Sequence, residues 1–276
     1  MQVNRANWNS RVPHHLEGYN LESFRSDPNY ISDVVRFDVP RLGSVEGLDV
    51  VHLQCHIGTD TLSLARLGAR SVTGLDFSAP ALAAAEVLAT ECGADIDYVE
   101  SELYDAVDVL GAQRFDLVYT GVGALCWLPD IARWADVVAR LLRPGGRLFI
   151  REGHPVLWSL SDERPDGLLV IEYPYFETEG VTFHDERTYV PHQEPLASPD
   201  SVGFNHGVGE LITAVMHAGM TLTSFEEHRS VPWNPLGDMM HDDGEGEYRL
   251  RDSSERLALT YTLQAVKSST TTDPAA

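Results

Sequence analysis

From Leu48 to Glu152 the sequence alternates short apolar runs with amphipathic ones, and few folds accommodate that rhythm. Leu48–Leu53 (LDVVHL), Ser71–Leu75 (SVTGL), Ile96–Val99, Phe115–Thr120 (FDLVYT) and Arg147–Glu152 (RLFIRE) read as strands. Between them Asp60–Leu67 (DTLSLARL), Ser78–Glu91 and Ile131–Leu142 (IARWADVVARLL) carry apolar residues at helical spacing. Gly68 and Gly93 mark helix ends, Ser78 is a candidate cap with Pro80 in the first turn behind it, and Pro144-Gly145-Gly146 reads as a turn. Alternation of this kind predicts an α/β fold: a parallel sheet with helices on both faces. Right-handed crossovers then bring the loops 54–60, 76–79, 100–104, 120–129 and 152–158 to one edge of the sheet, where such folds bind ligands.

The flanks read differently. Residues 1–45 carry short amphipathic pieces broken by Pro13, Pro28 and Pro40. From about His154 to Gly203 proline, aromatic and acidic residues dominate, with strand-like pieces at Leu168–Tyr173 and Gly180–Phe183, which suggests an insertion rather than a second core. Alternation resumes with a helix at Gly207–His217, a stop at Gly219 and strands at Thr221–Glu226 and Leu257–Val266. No helix-length segment leads into the last strand in the usual βαβ manner, so it is expected to be antiparallel. The tail Ser268–Ala276 (SSTTTDPAA) reads as a flexible terminus.

Charge narrows the partners. The 276 residues hold 20 Lys and Arg against 42 Asp and Glu, a net charge of −22, which argues against a nucleic-acid partner. No apolar run approaches the ~18–20 residues of a membrane span, and the start MQVNRANWNS lacks the apolar stretch of a signal peptide, so the expected location is the cytoplasm. Cys55, Cys92 and Cys126 are scattered and read as reduced packing residues. His241-Asp242-Asp243 with Glu245 lies between Gly244 and Gly246; adjacent side chains converge poorly on one ion, and no metal is expected.

Chemistry concentrates in Val50–Thr61 (VVHLQCHIGTDT), a strand, tight turn and helix start, with Asp76 closing the next strand. Such a turn lets a nucleoside ligand approach the backbone, and the acid can take two ribose hydroxyls. A dinucleotide site asks for G-x-G-x-x-G; here Gly58 stands alone, with Gln54 and His56 where other glycines would be, which argues against NAD and FAD.

LQCHIGTDT, LARLGARSVTGLDFSAPAL, FDLVYTGVGALCWLPD, LLRPGGRLFIREGHP and LTYTLQAV, in this order, resemble class I S-adenosylmethionine-dependent methyltransferases, and among them actinobacterial small-molecule methyltransferases. The resemblance implies a Rossmann-like, doubly wound sheet of seven strands, the last antiparallel, with a cap insertion. It divides the chain into a helical lid (1–45), a cofactor-binding α/β core (46–155), a substrate cap (156–202), the completion of the core (203–267) and a flexible tail (268–276). The loop Gln54, Cys55, His56 and Gly58 would wrap the methionine part of S-adenosyl-L-methionine. Asp76 would bind the ribose diol, Phe77 would lie beside the adenine, and Glu102 and Leu103 would meet its amino edge. Thr120 and Gly121 would border the sulfonium. Trp8–Tyr19 would fold over the cofactor, with Trp8, Arg11, His14 and Tyr19 as an aromatic wall and one charge. The chain departs from the family at His52, where an acid is usual, and at Gln54 and His56, where glycines are usual.

Methyl transfer from a sulfonium needs alignment and exclusion of water, and a base only where the acceptor holds its proton. His154 and His206 are the candidate catalytic residues at the ligand edge, with His184 and His192 less central, and Trp127 and Trp158 are candidate substrate walls. The expected activity is methylation of an oxygen or nitrogen of a small organic molecule, in secondary metabolism, by a monomer or homodimer. The alternatives are a protein or tRNA methyltransferase and a non-catalytic cofactor-binding regulator.

Overall fold

Three helices precede the sheet in the computed structural model, which describes residues 2–161, 163–191 and 194–269: α1 (Gln2–Gly18), α2 (Leu21–Ser26) and α3 (Asp33–Leu42). The alternating region follows as β1 (Asp49–Leu53), α4 (Thr59–Arg66), β2 (Ser71–Asp76), α5 (Ala79–Glu91), β3 (Asp97–Glu100), α6 (Ala106–Leu110), β4 (Phe115–Thr120), α7 (Ile131–Leu141) and β5 (Leu142–Gly153). After it come α8 (Pro155–Trp158), β6 (Val181–His184), β7 (Asp200–Gly203), α9 (Val208–His217), β8 (Met220–His228), β9 (Met240–Asp242), β10 (Tyr248–Leu250) and β11 (Thr260–Lys267).

Seven strands form one sheet in the order β3-β2-β1-β4-β5-β11-β8. Neighbours from β3 to β5 run parallel, while β11 is antiparallel to both β5 and β8. The period-2 alternation of the strands sorts their side chains between two layers. Val51, Leu53, Val118, Leu148 and Ile150 pack with Trp134 of α7 and Leu211 of α9. Val50, Leu117, Tyr119 and Phe149 face Val35 and Leu42 of α3 and Leu64 of α4. The helix starts follow their capping residues: Ser78 accepts from the Ala81 N–H and Asp130 from the Arg133 N–H.

Several expectations need correction. Pro13 lies inside α1 and Pro40 inside α3; Pro28 alone separates helices. Apart from Val12, the inward residues of α1 are polar, Asn4, Asn7, Arg11 and His15, at helical spacing, and they bind across to the insertion. The Asn4 amide pairs with the backbone of Val202 at 2.9 and 2.7 Å, and Asn7 Nδ2 donates to Ser198 O at 2.8 Å. These tertiary bonds offset what Pro13 removes. Leu168–Tyr173 is not a strand: Ile171 makes one isolated bridge to Leu160 and is 71% exposed. The expected turn at Pro144-Gly145-Gly146 is a kink inside β5, where its register with β4 shifts.

The insertion contains a two-stranded sheet, β6 with β7, and residues 229–255 contain another, β9 with β10. The acidic turn of the latter is internally bonded. Asp243 accepts from the Glu245 and Glu247 N–H groups and from Arg249. Among the described residues no helix is long and apolar enough to cross a membrane. His192 and residues 270–276 of the expected tail lie outside the described residues.

Candidate active site

The loop after β1 keeps a glycine-type backbone although two of its residues are not glycine. Gln54, His56 and Gly58 all have positive φ, at 58°, 49° and 77°. A non-glycine residue there costs about 1–2 kcal/mol, so the neighbours must fix it. The Cys55 N–H donates to Leu75 O at 3.0 Å, the His56 N–H to Asp76 Oδ2 at 2.9 Å and Gln54 Nε2 to Ala124 O at 3.0 Å. Gly58 has no substitute: an added Cβ would stand 2.5 Å from the Tyr98 hydroxyl and 2.8 Å from Ala85 Cβ.

Asp76 ties this loop to the next helix, accepting from His56 with one oxygen and from the Ser78 N–H, at 2.8 Å, with the other. Burial raises its carboxyl to about 6 against the pull of those N–H groups. The Phe77 N–H also acts on this carboxyl, which with about four lone-pair sites keeps room for a further donor. Burial likewise raises Asp60, in the first turn of α4, to about 6. An added Cβ at Gly121 would lie 3.3 Å from Asp60 Oδ2 and 3.4 Å from His52 Nε2.

Buried polar atoms without partners mark the same edge: His52 Nε2, Gln54 Oε1, Thr120 Oγ1 and Glu102 Oε2. Thr120 ends β4, Gln54 follows β1, His52 stands one residue before the end of β1, and Glu102 follows β3. Unsatisfied groups of this kind are costly, and a polar ligand would relieve them. They fit a ligand with ribose, amino-acid and base groups.

α1 covers this edge. Trp8 makes edge contacts with His56 at 5.0 Å and Trp127 at 5.4 Å between ring centroids. Arg11 lies over both Trp8 and Trp127, donates to Asn7 Oδ1 and Thr188 Oγ1, and is lowered from its usual value by burial. His15 bridges His56 Nε2 and Thr188 Oγ1, each at 2.7 Å. The hydroxyls of Tyr19 and Tyr189 are hydrogen-bonded. Burial, with the Arg11 charge, pulls His56 down to about 3 and keeps it neutral. His15 rather than His14 supplies the buried histidine of this wall.

Other expected residues lie elsewhere. The Cys55 thiol is raised by burial and faces Gly74, so only its backbone belongs to the loop. Leu103 packs in the main core, while Phe77 stays at the edge under Arg5, whose guanidinium pairs with Glu102 at 2.6 Å. His154 caps α8, accepting the Val156 N–H on Nδ1 while Nε2 contacts Glu227 at 3.0 Å. His206 contacts Glu177 with Nδ1 and Leu128 O with Nε2. Both ring nitrogens of each histidine are thus engaged by protein groups. Trp158 stacks on Trp233 and, with Glu152, Cys126, His206 and Tyr261, lines a small cavity beyond β5. His184 pairs with Asp200 on the surface of the insertion.

Sequence reading missed Asn7, His15, Asp60, Glu152 and Thr188. The polar spacing of α1 was a usable signal for Asn7 and His15; Thr188 had none, because it approaches from a distant segment. Glu152 accepts four backbone N–H groups, from Gly123, Ala124, Leu125 and Gly153, and so fixes the loop after β4.

Residues 51–148 match the family model of a methyltransferase domain. Over these residues the core has the fold of class I methyltransferase domains. It is 37% identical over 109 residues to a ubiquinone biosynthesis O-methyltransferase of Klebsiella pneumoniae, covering 40% of this chain and 44% of that one. It is 29% identical over 114 residues to methyltransferase phqN of Penicillium fellutanum, covering 41% and 34%. The chain thus spans less than half the length of these curated relatives. A solved S-adenosylmethionine-dependent methyltransferase of Mesorhizobium loti superposes with a TM-score of 0.61 at 23% identity, over 86% of this chain and 98% of that one. One of Clostridium acetobutylicum gives 0.55 at 12%, over 92% and 94%. These likenesses establish the fold.

Proposed function

We propose that the protein transfers a methyl group from S-adenosyl-L-methionine to an oxygen or nitrogen of a small organic molecule. The observation that carries this reading is the closure of α1 over the Gln54–Gly58 loop, with Trp8, His56 and Trp127 in edge contact. When bound, the cofactor supplies an electrophilic methyl on a sulfonium. A closed aromatic slot keeps water out and suits a cation that is neutralised on transfer. Asp76 takes the ribose hydroxyls on its remaining lone pairs. Gln54, His56 and Gly58 frame the methionine end, Phe77 and Glu102 the adenine, and Thr120 and Gly121 the sulfonium. Arg11 and Tyr19 close the lid over them, with Arg11 offering its charge to a carboxylate.

The acceptor enters between the 156–202 and 229–255 segments, which Trp158 and Trp233 join by stacking. Trp127 forms its inner wall. Oxygen is the favoured acceptor atom, by similarity to relatives named O-methyltransferases. A net charge of −22 weighs against tRNA. Transfer rests on alignment rather than on a fixed histidine base.

The test is methyl-labelled S-adenosylmethionine supplied with a small-molecule extract, with tRNA or with a protein lysate. Label is expected in the small-molecule fraction alone. Intact binding of S-adenosylhomocysteine without transfer to any fraction would instead indicate a regulator.

A further inference from the structure

Three side chains that methyl transfer leaves unused meet where the insertion joins the core. Glu177 comes from the insertion, His206 from the segment after β7 and Glu210 from the first turn of α9. One ligand-type atom of each lies within 4.8 Å of the other two. The His206 side chain is 3% exposed. Its Nε2 lies 2.8 Å from Leu128 O, and a carbonyl only accepts, so Nε2 carries a proton. Nδ1 faces Glu177 Oε2 at 2.7 Å. Glu177 also bonds to Glu210, whose carboxyl is raised by burial and by the Glu177 charge.

The charges here do not balance with these groups alone. Nδ1 and the two carboxylates are acceptors until something cationic joins them. Among the described residues neither glutamate is paired with an arginine or lysine. The cluster therefore needs either two additional protons or one dication. The hydrogen bond from Nε2 to a backbone carbonyl fits the dication, because it is the arrangement that aims the other nitrogen of a metal-ligating histidine.

We propose that Glu177, His206 and Glu210 form a site for one divalent transition metal of the zinc class, which fastens the insertion to the core. One imidazole nitrogen with two carboxylate oxygens suits zinc better than magnesium and leaves a fourth position for water. Bonds of about 2.0–2.2 Å in tetrahedral geometry set neighbouring donors about 3.3 Å apart. Nδ1 and Glu177 Oε2, 2.7 Å apart, thus separate by about 0.6 Å on loading. The site reverses the sequence expectation that no metal is held, and it makes His206 a ligand.

Zinc binding to the full chain, stripped with a chelator, is measured by competition with a chromophoric chelator, with magnesium as control. One zinc per chain is expected, together with a zinc-dependent rise in melting temperature. Glu177→Gln, Glu210→Gln and His206→Asn should each weaken zinc by at least about 10–100-fold. The two glutamine variants keep a hydrogen-bonding side chain of the same size, and circular dichroism of the metal-free forms checks their fold. Absence of stoichiometric zinc in the parent overturns the proposal, as does parental affinity in both glutamine variants. Binding of S-adenosylhomocysteine to the same zinc-free samples reports separately on the cofactor reading.

Discussion

His15 Nδ1 lies 2.7 Å from His56 Nε2, so a single proton is shared between a lid helix and the loop it covers. The opposite nitrogen of His15 contacts Thr188 Oγ1 at 2.7 Å, which continues the chain into the insertion. Lid, loop and insertion are thereby latched through one imidazole. His15→Ala breaks both links. It should cost about 1–3 kcal/mol of stability and lower the melting temperature by several degrees. Faster release of S-adenosylhomocysteine, followed by stopped-flow, should accompany it; parental stability and release would refute the latch.

Asp76 gives a test of the ribose assignment. Asp76→Ala removes two hydrogen bonds to a carboxylate and should weaken S-adenosylhomocysteine by about 2–4 kcal/mol, or roughly 30–1000-fold. Because burial raises the carboxyl to about 6, it binds a proton as the pH falls through that value and loses acceptor strength. Affinity in the parent should therefore decline below about pH 6. Calorimetric titration at pH 5 and 7 checks this, and Asp76→Asn should remove the decline.

His56 makes a separate prediction about stability. Its folded value, about 3, is depressed below the unfolded value of about 6.5. Its contribution is thus fully present above pH 6.5 and is lost as pH falls from there towards 3. His56→Gln removes that loss, at most about 1.4 kcal/mol per pH unit. The buried acids Asp60 and Asp76 titrate in the opposite sense, but both proteins contain them. Urea unfolding at pH 5 and 7 should show the parent losing more stability than His56→Gln on acidification; equal losses count against a buried neutral His56.

Gly58 and Tyr98 form a steric pair. Gly58→Ala places a Cβ against the Tyr98 hydroxyl at φ 77°, which should cost about 2–4 kcal/mol from clash and backbone strain together. The Tyr98 hydroxyl is buried without a partner. Tyr98→Phe alone should therefore be neutral or stabilising, and in combination it should restore part of what Gly58→Ala loses. Additive losses in the double variant, measured by chemical denaturation, would show that the hydroxyl is not what Gly58 avoids.

Local chemistry made the core legible. Strand periodicity, the cap Ser78 and the stops at glycine depend on neighbours in sequence, so β1, β2, β4, α5 and α7 could be read within a residue or two. Asp76 was legible for the same reason: it ends a strand a fixed distance beyond the loop it serves. The lid was not. α1 turns Asn4, Asn7, Arg11 and His15 inward, and their partners Val202, Ser198 and Thr188 lie more than 170 residues away. Apolar periodicity carries no trace of such pairing, and Pro13 reads locally as a break.

The sequence by itself determined the sheet, the position of the cofactor-type loop and the acid beyond it, because short-range periodicity and turn chemistry specify them. The tertiary structure alone decided that Gln54 and His56 adopt glycine conformations, that His154 and His206 are bound at both ring nitrogens, and that Glu177 meets Glu210. The physical reason is common to all three. Each depends on a hydrogen bond or charge brought from a distant segment, and its energy exists only once the chain has closed around it.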